Sequence, residues 1–388
     1  MDYLTKLHKK KKRHFLIIFA SGINSGLQTL LLDLQNTEWQ IKITQSIPYP
    51  PGIKDLLKKC IPYPEKPLSL IELAELDNSI TLFIYENTQA ILEQSPKLKR
   101  NLDLIILKKL SLWNGKLGDT HTPVHWNIPI GDAQLLSYAF NIPVLTDFKR
   151  QNVLENGSGI IPGLSGDISI AEEAGQFSVF VNIGLTTKML IIDSQYSKII
   201  VDSETGPGTI LIDSIADEAG CLEGFDRDGK IASNGVVDTE VLESLISDPW
   251  FQEPQPKFTT DVLFQKLLKN NKLCAMRHYD KLATVTAFTA LTIYNFYKKE
   301  YPFDKYEKPK EIWISGGGSN NLSLCEFLSS YFSPVSIRNV EEIKIPNNFK
   351  SLLSLGITVN NNINHLKKVI PGSKSTGIQR LGKWVFPY

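Results

Sequence analysis

The sequence is short of the features that announce several large classes of protein. It has four cysteines, Cys60, Cys221, Cys274 and Cys325, and their wide spacing contains no CxxC. That excludes a disulfide scaffold or a thiolate zinc site and suits reduced thiols in the cytoplasm. Charge of one sign is also missing: 42 Lys and Arg against 41 Asp and Glu leave a net charge of +1. No global field recruits nucleic acid or an anionic membrane, so neither is an expected partner. No apolar run approaches the ~20 residues of a membrane span. The basic stretch Lys9–Arg13 precedes Phe15–Ala20, but that run is shorter than the roughly 7–15 apolar residues of a signal peptide. It reads as a basic tail, residues 1–13, leading into a buried strand. There is no GxSxG, no Walker loop and no useful Cys/His pairing. His121 and His125 are four apart, but Pro123 lies between them and no third ligand is near. Phe225–Ala232 resembles a calcium loop without its remaining acidic ligands. No metal ligand set is expected from the chain itself.

What is present is length and pattern. At 388 residues and 42% hydrophobic content, the chain exceeds the ~250–300 residues at which single cores stop growing. Two domains are expected, over 14–165 and 166–388, with about 365–388 returning to the first. Apolar runs predict strands over His14–Ala20, Leu27–Leu34 and Trp39–Ile47, with Ser21–Gly26 as the first turn. Helical periodicity follows at Ile53–Cys60 and Ser69–Ser95, then one strand near Leu102–Trp113. A turn-rich segment, Asn114–Asn127, precedes a helix over Ala133–Phe140 and a strand over Ile142–Thr146. A long loop spans Gln151–Gly166. The second half restarts with strands over Phe177–Gly184, Lys188–Asp193 and Lys198–Asp202, followed by alternating helices and strands. Both halves share one plan, a duplication of topology rather than of sequence, and two α/β domains of this kind place a ligand in the cleft between them.

Three glycine-bearing turns follow in order along the second half. Gly316, Gly317 and Gly318 join the apolar strand Glu311–Ser315 to a helix beginning near Asn320. Residues without side chains let backbone approach a ligand, and a helix start offers N–H groups to an anion. Thr205, Gly206, Pro207 and Gly208 form a rigid loop before the helix from Ile210, whose N–H groups can face a phosphate. Asn182-Ile-Gly184 ends a strand at a third turn. The first segment has an ordinary tight strand-to-helix turn as its plain alternative, and the second a plain helix start. In the first half, Asp147 lies at a strand's C-terminal end beside Lys149 and Arg150. A carboxylate there can accept a hydroxyl proton, or can serve a structural ion pair. Gly131-Asp132 reads first as a helix start with Asp132 as N-cap.

Taken together, these segments resemble the bacterial anhydro-N-acetylmuramic acid kinases of the actin, hexokinase and sugar-kinase superfamily, over about Ala20–Trp384. The pieces that carry it are Ile130-Gly-Asp132, Thr146–Arg150 with the loop Gly157–Pro162, Asn182-Ile-Gly184, Thr205–Gly208, Asp226–Gly235, Pro254–Lys257, Ile314–Asn320 and Ser375-Thr-Gly377. The resemblance implies an α/β fold of two actin/hexokinase-like (ribonuclease H-like) domains with an interdomain cleft. It implies ATP with Mg2+, an amino-sugar substrate, a homodimer, and Asp147 as the base. Nucleotide contacts would fall to Ser21, Gly22, Asn182, Gly184, Thr205, Gly206, Gly208, Gly316, Gly317, Gly318 and Asn320. Sugar contacts would fall to Gly118, Asp119, Thr120, Gly131, Asp132 and Arg150.

The chain departs from the family pattern at several of these places. The family's first turn, Ser-Gly-Thr-Ser-Leu-Asp-Gly, is Ser21-Gly-Ile-Asn-Ser-Gly-Leu27, which keeps Ser21 and Gly22 but sets Ile23, Asn24 and Gly26 against Thr, Ser and Asp. Losing contacts of that kind costs about 100-fold to 1000-fold each. His-Gly-Gln-Thr is matched to Leu117-Gly-Asp-Thr120, Asn-Ile-Gly-Gly-Ile-Ala-Asn becomes Asn182–Lys188, and an Asp becomes Glu204. Lys188 could answer a phosphate in compensation. Three readings follow: an ATP-dependent sugar kinase of peptidoglycan recycling, an impaired paralogue that binds nucleotide or sugar as a sensor or partner, and an actin-like ATPase without sugar chemistry.

Overall fold

The computed structural model describes residues 3–60, 68–94, 96–117, 124–154, 165–175, 177–193, 195–364 and 381–387. The chain divides into two compact units, Met1–Asp167 with Ser351–Tyr388, and Ile168–Lys350. In chain order the first unit opens with α1 (Tyr3–Lys9), β1 (Lys12–Ala20), β2 (Leu27–Gln35), β3 (Glu38–Ile47), α2 (Pro51–Lys58), α3 (Leu70–Glu93) and α4 (Pro96–Asn101). It continues with β4 (Leu104–Lys108), β5 (Leu110–Leu117), β6 (Val124–Ile130), α5 (Ala133–Phe140), β7 (Val144–Thr146) and α6 (Phe148–Leu154). After α7 (Ser165–Ala174) the second unit holds β8 (Phe177–Ile183), β9 (Thr186–Asp193), β10 (Lys198–Pro207), α8 (Ile210–Glu218), α9 (Thr239–Ile246), α10 (Asp261–Leu268), α11 (Asn271–Cys274) and α12 (His278–Glu300). It closes with β11 (Glu311–Ser315), α13 (Leu322–Phe332) and β12 (Ser336–Asn339), after which α14 (Lys350–Ile363) and β13 (Lys383–Val385) return to the first unit.

The two units share a five-strand sheet plan, to which the first adds β13, antiparallel to β7. The order is β13-β7-β4-β1-β2-β3 in the first and β10-β9-β8-β11-β12 in the second. In both, three antiparallel strands are followed by two that run parallel to the first. This is the ribonuclease H-like plan of the actin and hexokinase fold, present twice.

The strand pattern follows from burial on both faces. Leu16 and Ile18 of β1 pack with Leu76, Ile80 and Ile84 of α3 in one core. On the opposite face α14 comes so close that a Cβ on Gly356 would lie 2.4 Å from Ile17 Cδ1 and 2.7 Å from Leu32 Cδ2. A strand covered on both sides reads as the continuous apolar run seen at Phe15–Ile18. In the second unit Val179, Val181 and Ile183 of β8 pack against Ala290, Ile293 and Phe296 of α12 and Leu324 and Leu328 of α13.

Several boundaries differ from the sequence reading. The basic tail is folded: α1 buries Leu7, and Arg13 is itself buried. Its guanidinium donates to Leu7 O at 2.9 Å, His8 O at 3.0 Å and both Asn360 Oδ1 and Asn364 Oδ1 at 2.6 Å. A buried cation with four acceptors makes this segment part of the fold rather than a tail. The return to the first unit comes at Ser351, before residue 365, because α14 packs on β1 and β2. The single strand expected near Leu102–Trp113 breaks at Lys109, and β5 leaves the sheet to pair with β6 in a hairpin where turns were expected.

Candidate functional site

In the first unit the parallel strands β1, β4 and β7 end side by side, and ligands of α/β sheets bind beyond such ends. Beyond β1 lies the Ser21–Gly26 turn. Ser21 N–H donates to Gly26 O at 3.0 Å, while Ser25 and Gly26 N–H both donate to Gly22 O, at 3.1 and 3.0 Å. Tyr49 Oη donates to Ser21 O at 3.0 Å. Gly26 has φ +67°, and a Cβ there would lie 2.1 Å from Ile47 O. No carboxylate can be carried from that backbone.

Beyond β7 stands Asp147, with φ +57°. A left-handed non-glycine residue at a strand end costs about 1–3 kcal/mol and persists where surrounding structure enforces it. Three contacts do so. Thr146 Oγ1 donates to Leu107 O at 2.9 Å. Gln151 N–H donates to Asp147 O at 3.0 Å. Gly382 (φ +69°) brings β13 so close that a Cβ would lie 2.5 Å from Thr146 O. The Asp147 carboxylate is 13% exposed and faces Lys109, whose Nζ is 3.1 Å from Oδ1. That pair is ionic rather than an aligned hydrogen bond, and Oδ1 is a buried oxygen without a hydrogen-bond donor among the described residues. Lys109 directly follows β4, the neighbour of β7, and the sequence reading missed it. Lys108 beside it sets its ammonium 3.9 Å from the Phe19 ring centroid.

The other residues assigned to the sugar fare differently. Gly131 N–H donates to Asp77 Oδ1 at 2.7 Å and Asp132 N–H to Thr81 Oγ1 at 3.0 Å, which docks this turn on α3. Asp132 Oδ1 accepts from Gln134 N–H at 2.7 Å, so it is the N-cap of α5. Arg150 is exposed on α6. Gly118, Asp119 and Thr120 lie outside the described residues, as do Gly157–Pro162 and Ser375-Thr-Gly377.

In the second unit the three glycine turns meet. A Cβ on Gly208 would lie 2.1 Å from Gly184 O; on Gly316, 2.5 Å from Ile183 O; on Gly318, 2.3 Å from Ile183 Cγ2 and 3.1 Å from Thr209 Cγ2. Asn182 Oδ1 accepts from Ser315 Oγ at 3.2 Å. These glycines are needed so that protein backbone can approach protein backbone. Gly317 is the exception: exposed, with nothing within 4 Å of its Cβ position. The turn around it is braced by Asn347, whose Nδ2 donates to Ser319 Oγ at 2.6 Å and to exposed Asn320 Oδ1 at 3.1 Å. The helix expected near Asn320 begins at Leu322, after a 3-10 turn over Gly317–Asn320, with Asn321 as its cap.

The Thr205–Gly208 segment corrects a second expectation. Thr205, Gly206 and Pro207 extend β10, pairing with Thr186 and Thr187 past a bulge at Thr205. The following N–H groups are spent: Gly208 on Leu185 O at 2.8 Å, Thr209 on Gly184 O at 2.8 Å and Ile210 on Leu185 O at 3.2 Å. They do not point at an anion. Lys188 is likewise engaged, 2.7 Å from Asp202 on β10, rather than held for a phosphate. Thr205 Oγ1 remains buried without a partner among the described residues. Glu204 joins three segments: it accepts from Thr186 Oγ1 at 3.1 Å on Oε1, and from Thr259 N and Oγ1, both at 2.6 Å, on Oε2.

The profile of the family described as anhydro-N-acetylmuramic acid kinase matches residues 14–383. An anhydro-N-acetylmuramic acid kinase of Caldanaerobacter subterraneus is 23% identical over 95% of this chain and 96% of its own. Those of Clostridioides difficile and Rhodopseudomonas palustris are 24% and 29% identical, over 88% and 70% of this chain and 89% and 70% of theirs.

Proposed function

We propose, from the premise that the chain belongs to the anhydro-N-acetylmuramic acid kinase family, that it phosphorylates a 1,6-anhydro amino sugar with ATP and opens the anhydro ring in the same reaction. Water attacks the anomeric carbon and gives its proton to Asp147. The bond from that carbon to O6 breaks, and O6 takes the γ-phosphoryl group as the bond to ADP breaks. The observation that carries this reading is Asp147, a carboxylate held in a left-handed conformation at the ends of three parallel strands. A base needs such fixed placement more than it needs a particular neighbour.

The second unit fits a nucleotide at two points. Gly317 leaves room for a ligand to approach backbone, and buried Thr205 Oγ1 has a donor and lone pairs to offer. In this reading Mg2+ accompanies the ATP phosphates, since in kinase sites this ion is held largely through substrate phosphates. Among the described residues no helix is long and apolar enough to cross a membrane.

One observation favours a second reading, an impaired paralogue that binds nucleotide or sugar. The first turn is closed on itself and carries neither the family's Thr nor its Asp. The two readings separate in one experiment: ADP release with Mg-ATP and 1,6-anhydro-N-acetylmuramic acid, beside a no-sugar control and Asp147→Asn. We expect sugar-dependent release in the wild type and its loss in the variant, with ATP affinity by calorimetry unchanged. ATP binding without turnover in the wild type would favour the second reading. The homodimer implied by family belongs to the same proposal and is measured by light scattering.

A further inference from the structure

We infer that Lys109 is a positioning residue for the reaction, fixing which oxygen of Asp147 meets the nucleophile; this rests on the reading of Asp147 as the base. Strand β4 delivers Lys109 to the carboxylate because β4 and β7 are parallel neighbours in register Ile105↔Val144 and Ile106↔Leu145. Both side chains are largely withdrawn from water, Lys109 at 17% and Asp147 at 13% exposed. The ammonium stands 3.1 Å from Oδ1. That oxygen is buried and receives no hydrogen bond from any described donor, so the charge of Lys109 is what offsets its desolvation.

Pinning Oδ1 leaves Oδ2 to accept the proton. Rotation about the last side-chain torsion would exchange the two oxygens, and an sp3–sp2 torsion of this kind has a broad, shallow minimum of its own. The ion pair supplies the preference that the torsion lacks. The left-handed backbone at Asp147 fixes where the carboxylate starts, and Lys109 fixes how it is turned. Neighbouring Lys108 does not substitute, because its ammonium is set over the Phe19 ring.

The test is steady-state kinetics of Lys109→Met, Lys109→Arg, Asp147→Asn and the Asp147→Asn/Lys109→Met double variant, with melting temperatures of each. Misplacing a reacting group by about 1 Å costs about 100-fold. Lys109→Met is therefore expected to lower kcat by about 10-fold to 100-fold while KM for sugar and for ATP stays near wild type. Lys109→Arg, which keeps the charge, should recover most of the loss. Lys109→Met should add nothing further in the Asp147→Asn background, since it acts through the carboxylate. Wild-type kcat in Lys109→Met beside an inactive Asp147→Asn would overturn the inference while leaving the base in place. So would equal losses in the Met and Arg variants matched by equal falls in melting temperature. Full turnover in Asp147→Asn would instead overturn the base reading itself.

Discussion

Removing the Glu204 carboxylate should loosen the second unit in a measurable way. Glu204 lies just before Thr205–Gly208 and its two oxygens accept three hydrogen bonds, one from Thr186 Oγ1 and two from Thr259. Thr186 opens β9 immediately after the Asn182–Gly184 turn, so one side chain braces two of the three glycine turns. Hydrogen bonds contribute about 1 kcal/mol each and more when the acceptor is charged. Glu204 is half-buried, so water can replace part of the loss. Glu204→Ala should thus cost about 2–4 kcal/mol, which for a unit of this size lowers Tm by roughly 5–15 °C. ATP affinity should fall with it, because Gly208 N–H to Leu185 O and Thr209 N–H to Gly184 O depend on the same register. Glu204→Asp, one methylene shorter, should reach Thr186 or Thr259 but not both, and give an intermediate result. Scanning calorimetry and ATP titration read both quantities. Glu204→Ala with unchanged Tm and unchanged ATP affinity would refute the clamp.

Three other substitutions test the same geometry. Gly208→Ala places a methyl 2.1 Å from Gly184 O and should destabilise by about 1–3 kcal/mol in thermal melts. Gly317→Ala meets nothing within 4 Å; it should leave Tm unchanged and raise KM for ATP if the nucleotide approaches backbone there. Lys257 is 3% exposed, with its ammonium 4.4 Å from the Trp250 ring centroid, and burial first, then Lys299, lowers its pKa from 10.5 to about 8. Between about pH 8 and pH 10.5 the unfolded chain holds the proton that the folded one has released, so stability rises with pH in that window. Wild type should accordingly gain stability relative to Lys257→Met from pH 8 to pH 10, and a constant difference would contradict the buried neutral form.

The architecture was legible because strands buried on both faces, such as Phe15–Ile18 and Val179–Val181, announce themselves as apolar runs. What was not legible has specific causes. Pro207 suggested a loop, yet β10 is the edge strand of its sheet, where a missing N–H and a bulge are tolerated. Lys109 gave no local signal, since its partner is supplied by a strand pairing that brings Leu107 beside Thr146 across 39 residues. The glycines were the least transparent. Gly208, Gly316 and Gly318 look in sequence like room made for a phosphate, but their Cβ positions are filled by Gly184 O, Ile183 O and Ile183 Cγ2. A glycine-rich turn records a close approach without saying what approaches. In this unit the glycines first let three turns close on one another, and of those three only the turn carrying Gly317 pairs with open space. Any ligand-binding role of the turns therefore depends on their mutual packing, which is why a change at Glu204 or Gly208 should also weaken nucleotide binding.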